Sequence, residues 1–516
     1  MMRVLLHPLR TIAVSAAVLL LGACSLKTAK GPVPADAVPP AASSLNTTET
    51  GHKETELPGA GDVEIEDLVR IPQEFDGLAA AAGERLVLAQ PCHDQLMEEF
   101  NVRFFAPWSA SGPALDPAEA RDFMRHEGQT TWYGPHKRKI RSQQMQELLG
   151  NCALESFPSR NDSAISVAPA HLRGLPTRLP FYQRADDYPF DMLSYPQVKL
   201  NEPLRVLHTS RDGVWLFVET GYTNGWIEAR DVALVDRDFM QSWMQAPHLV
   251  VVRDYAPVQD GRGVGVFRSK VGTLLPMLRS DEDGWEVAVA SAGEGGRAQS
   301  RPVRLPRATA RPFPLEFTRE NIALVGNQLL GEPYGWGEIY DLRDCSAMLR
   351  DFYLSFGIWL PRTSADQIAS VPKRIALAQM TPALKEELIR SKGIPFLTLL
   401  YKPGHIMLYV GVDNEGRPLL FHNAWSVRLT EGGAGDNVGN VGNVGNVGNV
   451  GNVGNVGNVG RGGERTQIIG VAGITSLEPG KELGLVPGSS LLEKVTELGT
   501  ITSRCQGFST PNPPHK

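Results

Sequence analysis

Asp344-Cys345-Ser346-Ala347-Met348-Leu349-Arg350-Asp351-Phe352-Tyr353-Leu354 is the stretch on which the reading of this chain turns. Its apolar residues predict a helix that starts near Ser346, continues through Leu354 and stops at Gly357. Asp344 or Ser346 can cap that helix. A cysteine at a helix N-terminus has a reason to be reactive, because the helix dipole and exposed N–H groups stabilise a thiolate. The same N–H groups are natural donors to an oxyanion. Taken alone, such a cysteine reads more readily as a buried, inert thiol, so the decision rests on what else the domain supplies.

It supplies two histidines. His405 follows Pro403-Gly404 at the start of an apolar strand, Gly404 to Gly411, in which alternation puts His405, Met407 and Tyr409 on one face. His422 lies in a second strand, Arg417 to Trp425, reached through the turn Asp413-Asn-Glu-Gly416. A strand histidine aimed at a helix-N-terminal cysteine is the geometry of papain-like catalysis, with His405 taking the thiol proton and returning it to the leaving amine. His422 would orient His405 as the third member of a triad. Each histidine alone reads as a satisfied, partly buried side chain; Cys, His, His in that order is far more specific.

Working outward, the domain carrying these residues spans about 313–500, with a helix from Asn321 to Leu330 ended by Gly331. Inside it, residues 437–460 are eight perfect copies of Asn-Val-Gly, read as an exposed loop insertion without catalytic role. A tail, 501–516, follows. Ahead of a proline-rich linker (Pro302, Pro306, Pro312, Pro314) the texture is short strands. Ser210-Arg-Asp-Gly-Val-Trp and Ser280-Asp-Glu-Asp-Gly-Trp both read as a turn, an aromatic and a strand. This similarity to bacterial SH3 domains suggests two barrels in tandem, 166–240 and 241–312. Residues 63–165 read as a helical leader, with helices expected from Gly83 to Phe105, from the capped start Asp116-Pro117, and from Ser142 to Leu149. Cys92 and Cys152, both in the leader, are either a disulfide pair or two buried small apolar side chains. The expected fold class is therefore α+β and multidomain: helical leader, two SH3-like barrels and a papain-like catalytic domain.

The N-terminus has its own signature. Arg3, His7 and Arg10 precede an apolar run, Thr11 to Leu21, too short for a spanning helix but suited to a secretory signal in 1–23. Leu21-Gly-Ala-Cys24 resembles a lipobox, which implies cleavage before Cys24 and lipidation of its thiol; Ser25 in the next position implies the outer membrane, facing the periplasm. Residues 24–62, rich in Pro, Ala, Ser and Thr, read as a disordered tether.

Composition bounds the rest. The 516 residues imply roughly three or four domains. A net charge of −6, from 51 basic and 57 acidic residues, argues against a nucleic-acid partner. Five cysteines are too few for a disulfide-built scaffold. No metal-ligand spacing or phosphate-binding loop is present, so no cofactor is expected.

Pro333-Tyr-Gly-Trp-Gly337, Asp344-Cys-Ser346, Leu360-Pro-Arg-Thr-Ser-Ala-Asp-Gln367, Gly404-His405 and Phe421-His422 together resemble the NlpC family of cell-wall cysteine peptidases. With the barrels and the leader, the resemblance spans roughly 63–500. It implies hydrolysis of the γ-D-glutamyl–L-diamino acid bond of murein stem peptides, with Cys345 as nucleophile, His405 as base and His422 as the orienting residue. It further implies that Asp344 binds the free amine of an N-terminal L-Ala. Ser346 and Ser364 would line that pocket, and an aromatic of the first barrel, Tyr222, would close it, with Trp226 in the core. Where the family often has Asp-Cys-Ser-Gly, Ala347 stands here. The expected state is a monomer held to the membrane through Cys24. The competing readings are a non-catalytic wall-binding lipoprotein and a related papain-like amidase or acyltransferase.

Overall fold

The computed structural model describes residues 64–83, 88–109, 115–260, 265–430 and 463–505. Cys24, the signal and tether segments and the Asn-Val-Gly repeat lie outside the described residues.

The helix of the decisive stretch runs from Cys345 to Leu354, and all 10 of its residues are buried. Asp344 is its N-cap: its carboxylate accepts the Ala347 N–H at 2.9 Å. One face of this helix covers a six-stranded antiparallel sheet. In spatial order the strands are Arg374–Ala376, Glu497–Thr500, Thr398–Lys402, His405–Val412, Pro418–Thr430 and Glu464–Thr475. Ile406, Leu408 and Val410 lie in the core that contains Cys345, Met348 and Phe352. Met407 and Tyr409 face the other side, with Leu420 and Leu498. Strand alternation thus splits the sheet between two cores.

Two SH3-like β units precede this domain. The first is a seven-stranded sheet that begins at Asp162–Ser166 and contains Ser194–Val198 and Trp215–Glu219. Trp226 is completely buried in it, edge-to-face against Phe217. The second is a five-stranded sheet including Gly284–Ala292, with a separate hairpin of Pro257–Gln259 and Gly265–Arg268. Both sheets are buried on two faces: Trp215 and Phe217 join one cluster and Leu216 and Val218 another, as do Val287 and Val289 against Ala288 and Ala290 in the second unit.

Among the described residues, the leader's large buried side chains share clusters with the domains that follow. Phe75, on the helix Phe75–Ala82, packs edge-to-face on Phe421 at 4.9 Å between ring centres and touches Phe352 and Phe396 of the catalytic domain. Met124 and Met145, on the helices Pro117–Gln129 and Ser142–Asn151, share a cluster with Trp215, Phe217 and Trp226 of the first barrel. The expected helix from Gly83 starts instead at Gln90, with Pro91 in its first turn; Gly83, in a left-handed conformation (φ 55°), ends the preceding helix.

The cysteine pairing also differs from expectation. Cys92 is bridged to Cys505, 413 residues away, and Cys152 is a free, buried thiol hydrogen-bonded to the Leu148 carbonyl. The first residues of the expected tail are therefore part of the folded body: Ile501–Arg504 form a 3₁₀ turn. Arg504 reaches the Trp359 carbonyl at 2.8 Å and Glu99 at 2.6 Å.

Candidate active site

Cys345 is 6% exposed and lies at the floor of a cavity of about 320 Å³. Asp344, Ser346, Arg362, Ser364 and Gly404 line the same cavity, with Tyr195 of the first barrel and Tyr334 and Trp336 opposite. The backbone of Ile406, the residue after His405, lies close enough to Cys345 to favour its ionised form. The start of the histidine strand is thus brought to the helix N-terminus.

Behind Cys345 runs a chain of hydrogen bonds whose direction can be assigned. Thr475 donates its single hydroxyl proton to the Ser476 carbonyl at 2.8 Å. Its oxygen must then accept from His422 Nε2, also at 2.8 Å. His422 Nδ1 is left as an acceptor, so His405 Nε2, 2.9 Å away, is the donor. This fixes the protonation of His405: Nε2 carries the hydrogen, and Nδ1 keeps the lone pair that a general base needs. Thr475 was not legible in the sequence.

Burial sets the resting charge state. It pushes the Cys345 thiol up to about 12, with the Asp344 charge adding to the rise; the Ile406 backbone, Arg362 and Lys402 pull the other way. Burial, then His422 and Lys402, holds His405 well below the ordinary imidazole value. Burial and Lys402 take His422 down to about 3. At neutral pH the resting pair is a neutral thiol and a neutral imidazole.

On the other side of Cys345, Asp344 is firmly paired. Arg362 donates to its two carboxylate oxygens at 3.1 and 2.7 Å, and Ser346 donates to it at 3.0 Å. Arg362 also donates to the Ser346 hydroxyl at 2.8 Å. The carboxylate expected to await an amine alone is therefore held by an arginine from the Pro361-Arg362-Thr363 segment. Ser364, the first residue of the helix Ser364–Ala369, faces the same space.

Tyr222 is the site residue the structure separates from the others. Its ring stacks on Trp359 (6.0 Å, 7°), and Arg350 lies over it at 5.4 Å. Its hydroxyl is buried without a hydrogen-bond partner. The barrel's contribution to the cavity comes instead from Met192, Ser194, Tyr195, Pro196 and Thr223. The reason is packing: a flat ring between a tryptophan and a guanidinium is a wall between domains.

Among the described residues no group of three His, Cys, Asp or Glu side chains is arranged to hold a metal ion, and no helix is long and apolar enough to cross a membrane.

Comparison with known proteins agrees with this layout. Residues 13–157 match the NLPC_P60 stabilising N-terminal domain. Residues 180–228 match an SH3 domain of SH3b1 type and 236–282 one of SH3b2 type. Residues 331–429, which hold Cys345, His405 and His422, match the NlpC/P60 family. No curated protein matches. Among solved structures, an NlpC/P60 endopeptidase from Photobacterium damselae subsp. piscicida is 20% identical, with a TM-score of 0.71 over 84% of this chain and 97% of that one. An NlpC/P60 family protein from Bacillus cereus is 16% identical, with a TM-score of 0.41 over 66% of this chain and 99% of that one. With a stabilising leader, two SH3 domains and a cysteine domain in this order, the chain belongs to the NlpC/P60 family.

Proposed function

We propose that the protein is a cysteine endopeptidase that hydrolyses the γ-D-glutamyl–L-diamino acid bond of peptidoglycan stem peptides carrying a free N-terminal L-Ala. One observation carries the reading. A cysteine at the N-terminus of a buried helix meets the start of a strand whose histidine is held, by His422 and Thr475, with its Nδ1 lone pair available.

In the reaction, His405 Nδ1 takes the Cys345 proton as the sulfur attacks the γ-carbonyl, so proton transfer accompanies attack on a site with no resting charge separation. The helix N-terminus offers backbone N–H groups to the oxyanion. The imidazolium returns the proton to the departing diamino-acid amine, leaving a thioester. His405 then activates water, and hydrolysis frees L-Ala-γ-D-Glu. Asp344 supplies the negative group for the L-Ala ammonium, a charge-assisted contact. Ser346 and Ser364 line the pocket beside it. An acylated or sugar-linked L-Ala forfeits that contact, so released stem peptides are the favoured substrate.

The protein works as a monomer at the outer membrane, facing the periplasm, anchored by a lipid on Cys24. Globomycin should then cause precursor to accumulate; its absence counts against the anchor.

The purified protein and a Cys345→Ala variant, incubated with L-Ala-γ-D-Glu-diaminopimelate, test the chemistry. Release of L-Ala-γ-D-Glu is expected from the first alone. No turnover by the unmodified protein overturns the peptidase and leaves wall binding. Equal turnover by the variant overturns Cys345 as nucleophile.

A further inference from the structure

Beside the cavity lies a turn, Trp336–Asp341, that the reaction above does not use. Three successive features bind it to the first barrel. Trp336 donates to the Asp191 carbonyl at 3.1 Å, and Ser194 donates to the Gly337 carbonyl at 3.1 Å. Gly337 itself has φ 57° and runs so close to the Ser194 carbonyl that a Cβ would sit 2.6 Å from it. Glu338 follows, also at positive φ (67°), a conformation disfavoured for a residue with a Cβ, and its side chain is fully buried.

The Glu338 carboxylate accepts from Arg350 at 2.7 and 3.1 Å, from Arg362 Nε at 3.0 Å and from the Gln197 N–H of the first barrel at 3.3 Å. Arg362 spans the two acids: Nε is on Glu338, and both Nη atoms are on Asp344. A planar guanidinium fixed at Nε has one orientation left for its fork. Building on the amine-recognition reading above, we propose that Glu338 is a positioning residue: it holds Arg362 in register on Asp344 while sharing its charge, so that Asp344 stays negative enough to take the substrate ammonium. Beyond the residues it places in the cavity wall, the first barrel also reaches the active site through this carboxylate. Burial raises the Glu338 carboxyl, but Arg350 and Arg362 outweigh it and hold it below its ordinary value, so the group is ionised in use.

Two readouts separate positioning from mere support. Glu338→Gln keeps the shape and removes the charge, leaving Arg362 wholly on Asp344. For L-Ala-γ-D-Glu-diaminopimelate, KM should rise about tenfold, with kcat changed by less than about twofold. The second readout needs no substrate. The charged groups facing Cys345 are Asp344, Arg362 and Lys402, with His405 neutral. Losing the Glu338 charge leaves Arg362 less neutralised and so favours the thiolate; iodoacetamide should alkylate Cys345 faster at pH 8 in the variant, by about threefold. The rate is followed on the Cys345 peptide of the full chain by mass spectrometry. In an Arg362→Gln background, Glu338→Gln should alter KM by less than about twofold, since the two residues act as one unit.

An unchanged KM, effects that multiply in the double variant, or superposed alkylation profiles would overturn the proposal. If the unmodified protein fails to cleave the peptide, the proposed function falls, and the alkylation profile still decides whether Glu338 sets the charge at Cys345. Should Glu338→Gln not fold, Glu338→Asp retains the charge and retracts it: KM should rise while the alkylation profile stays put, and an unchanged KM overturns the proposal.

Discussion

At the scale of single residues, the base is made by one hydroxyl proton. Thr475 spends it on Ser476, and the orientation of both imidazoles follows. Thr475→Val removes the acceptor for His422 Nε2 and releases the order of the chain; kcat should fall about tenfold or more, with KM little changed, and Thr475→Ser should keep most activity. Steady-state kinetics on the two variants checks this, and equal loss in both would show that Thr475 acts by shape alone. The pH profile is a second consequence. Activity needs neutral His405, whose value is depressed below 6.5, so activity is lost only as pH falls through that lowered value. The acid limb of kcat/KM should therefore lie below pH 6.5, with no alkaline loss through the neutral range, because the thiol is raised. A limb centred on 6.5 or above would contradict the buried, uncharged pair. Cys345, His405 and His422 were legible because a helix cap and a strand start are written in neighbouring residues. Thr475 was not: it stands 53 residues beyond His422, across the Asn-Val-Gly insertion, and meets it only through strand register.

Among the elements, a column of side chains locks four segments together. Arg103 of the leader helix lies over Trp359 at 5.0 Å, Trp359 stacks on Tyr222 of the first barrel, and Arg350 of the nucleophile helix covers the far face. The family resemblance singles out Tyr222 as the barrel aromatic that would close the pocket; it cannot show that Trp359 arrives to cover it. Tyr222→Phe removes a hydroxyl that has no partner, so stability should hold or rise and KM should not move. Tyr222→Ala should cost about 3–5 kcal/mol in chemical denaturation. A KM increase in Tyr222→Phe would restore the hydroxyl to the substrate pocket. The Cys92–Cys505 bridge was hidden for a similar reason: five cysteines give a count, while proximity comes from the leader helix folding back onto the end of the chain. Cys505→Ser should lower the unfolding free energy by about 2–4 kcal/mol, and dithiothreitol should lower Tm in the unmodified protein but not in the variant.

For the molecule as a whole, the informative feature is a buried ionic hub that belongs to three domains at once. Asp351, on the nucleophile helix, accepts from Lys199 of the first barrel at 2.6 Å, from Arg343 at 2.7 Å and from Arg350 at 2.8 and 2.9 Å. Arg343 in turn holds Glu332 and Asp254, the latter from the second barrel. Such charges are not spare surface pairs: the Lys199 and Asp351 side chains are 4% and 0% exposed, and Asp351 is held well below its ordinary value as Arg350, Lys199 and Arg343 outweigh burial. The order of domains was legible from local texture, whereas this hub was not, because its members are ordinary charged residues spread from 199 to 351 with no periodic signature. It implies that the barrels are built into the active-site body and are not modules on a string. Breaking a buried pair by removing one partner leaves a desolvated charge, at a cost of about 3–5 kcal/mol. Lys199→Met should therefore destabilise the entire chain by about that amount, although Lys199 touches no residue of the cavity's chemistry directly. Alkylation under denaturant of Cys152, a buried free thiol packed with Trp215, Phe217 and Trp226 of the first barrel, and of Cys345, which reports the catalytic domain, should shift together to the same lower midpoint. Separate midpoints, with only the Cys152 transition displaced, would mean that the first barrel unfolds independently and that the hub does not bind the domains into one cooperative unit.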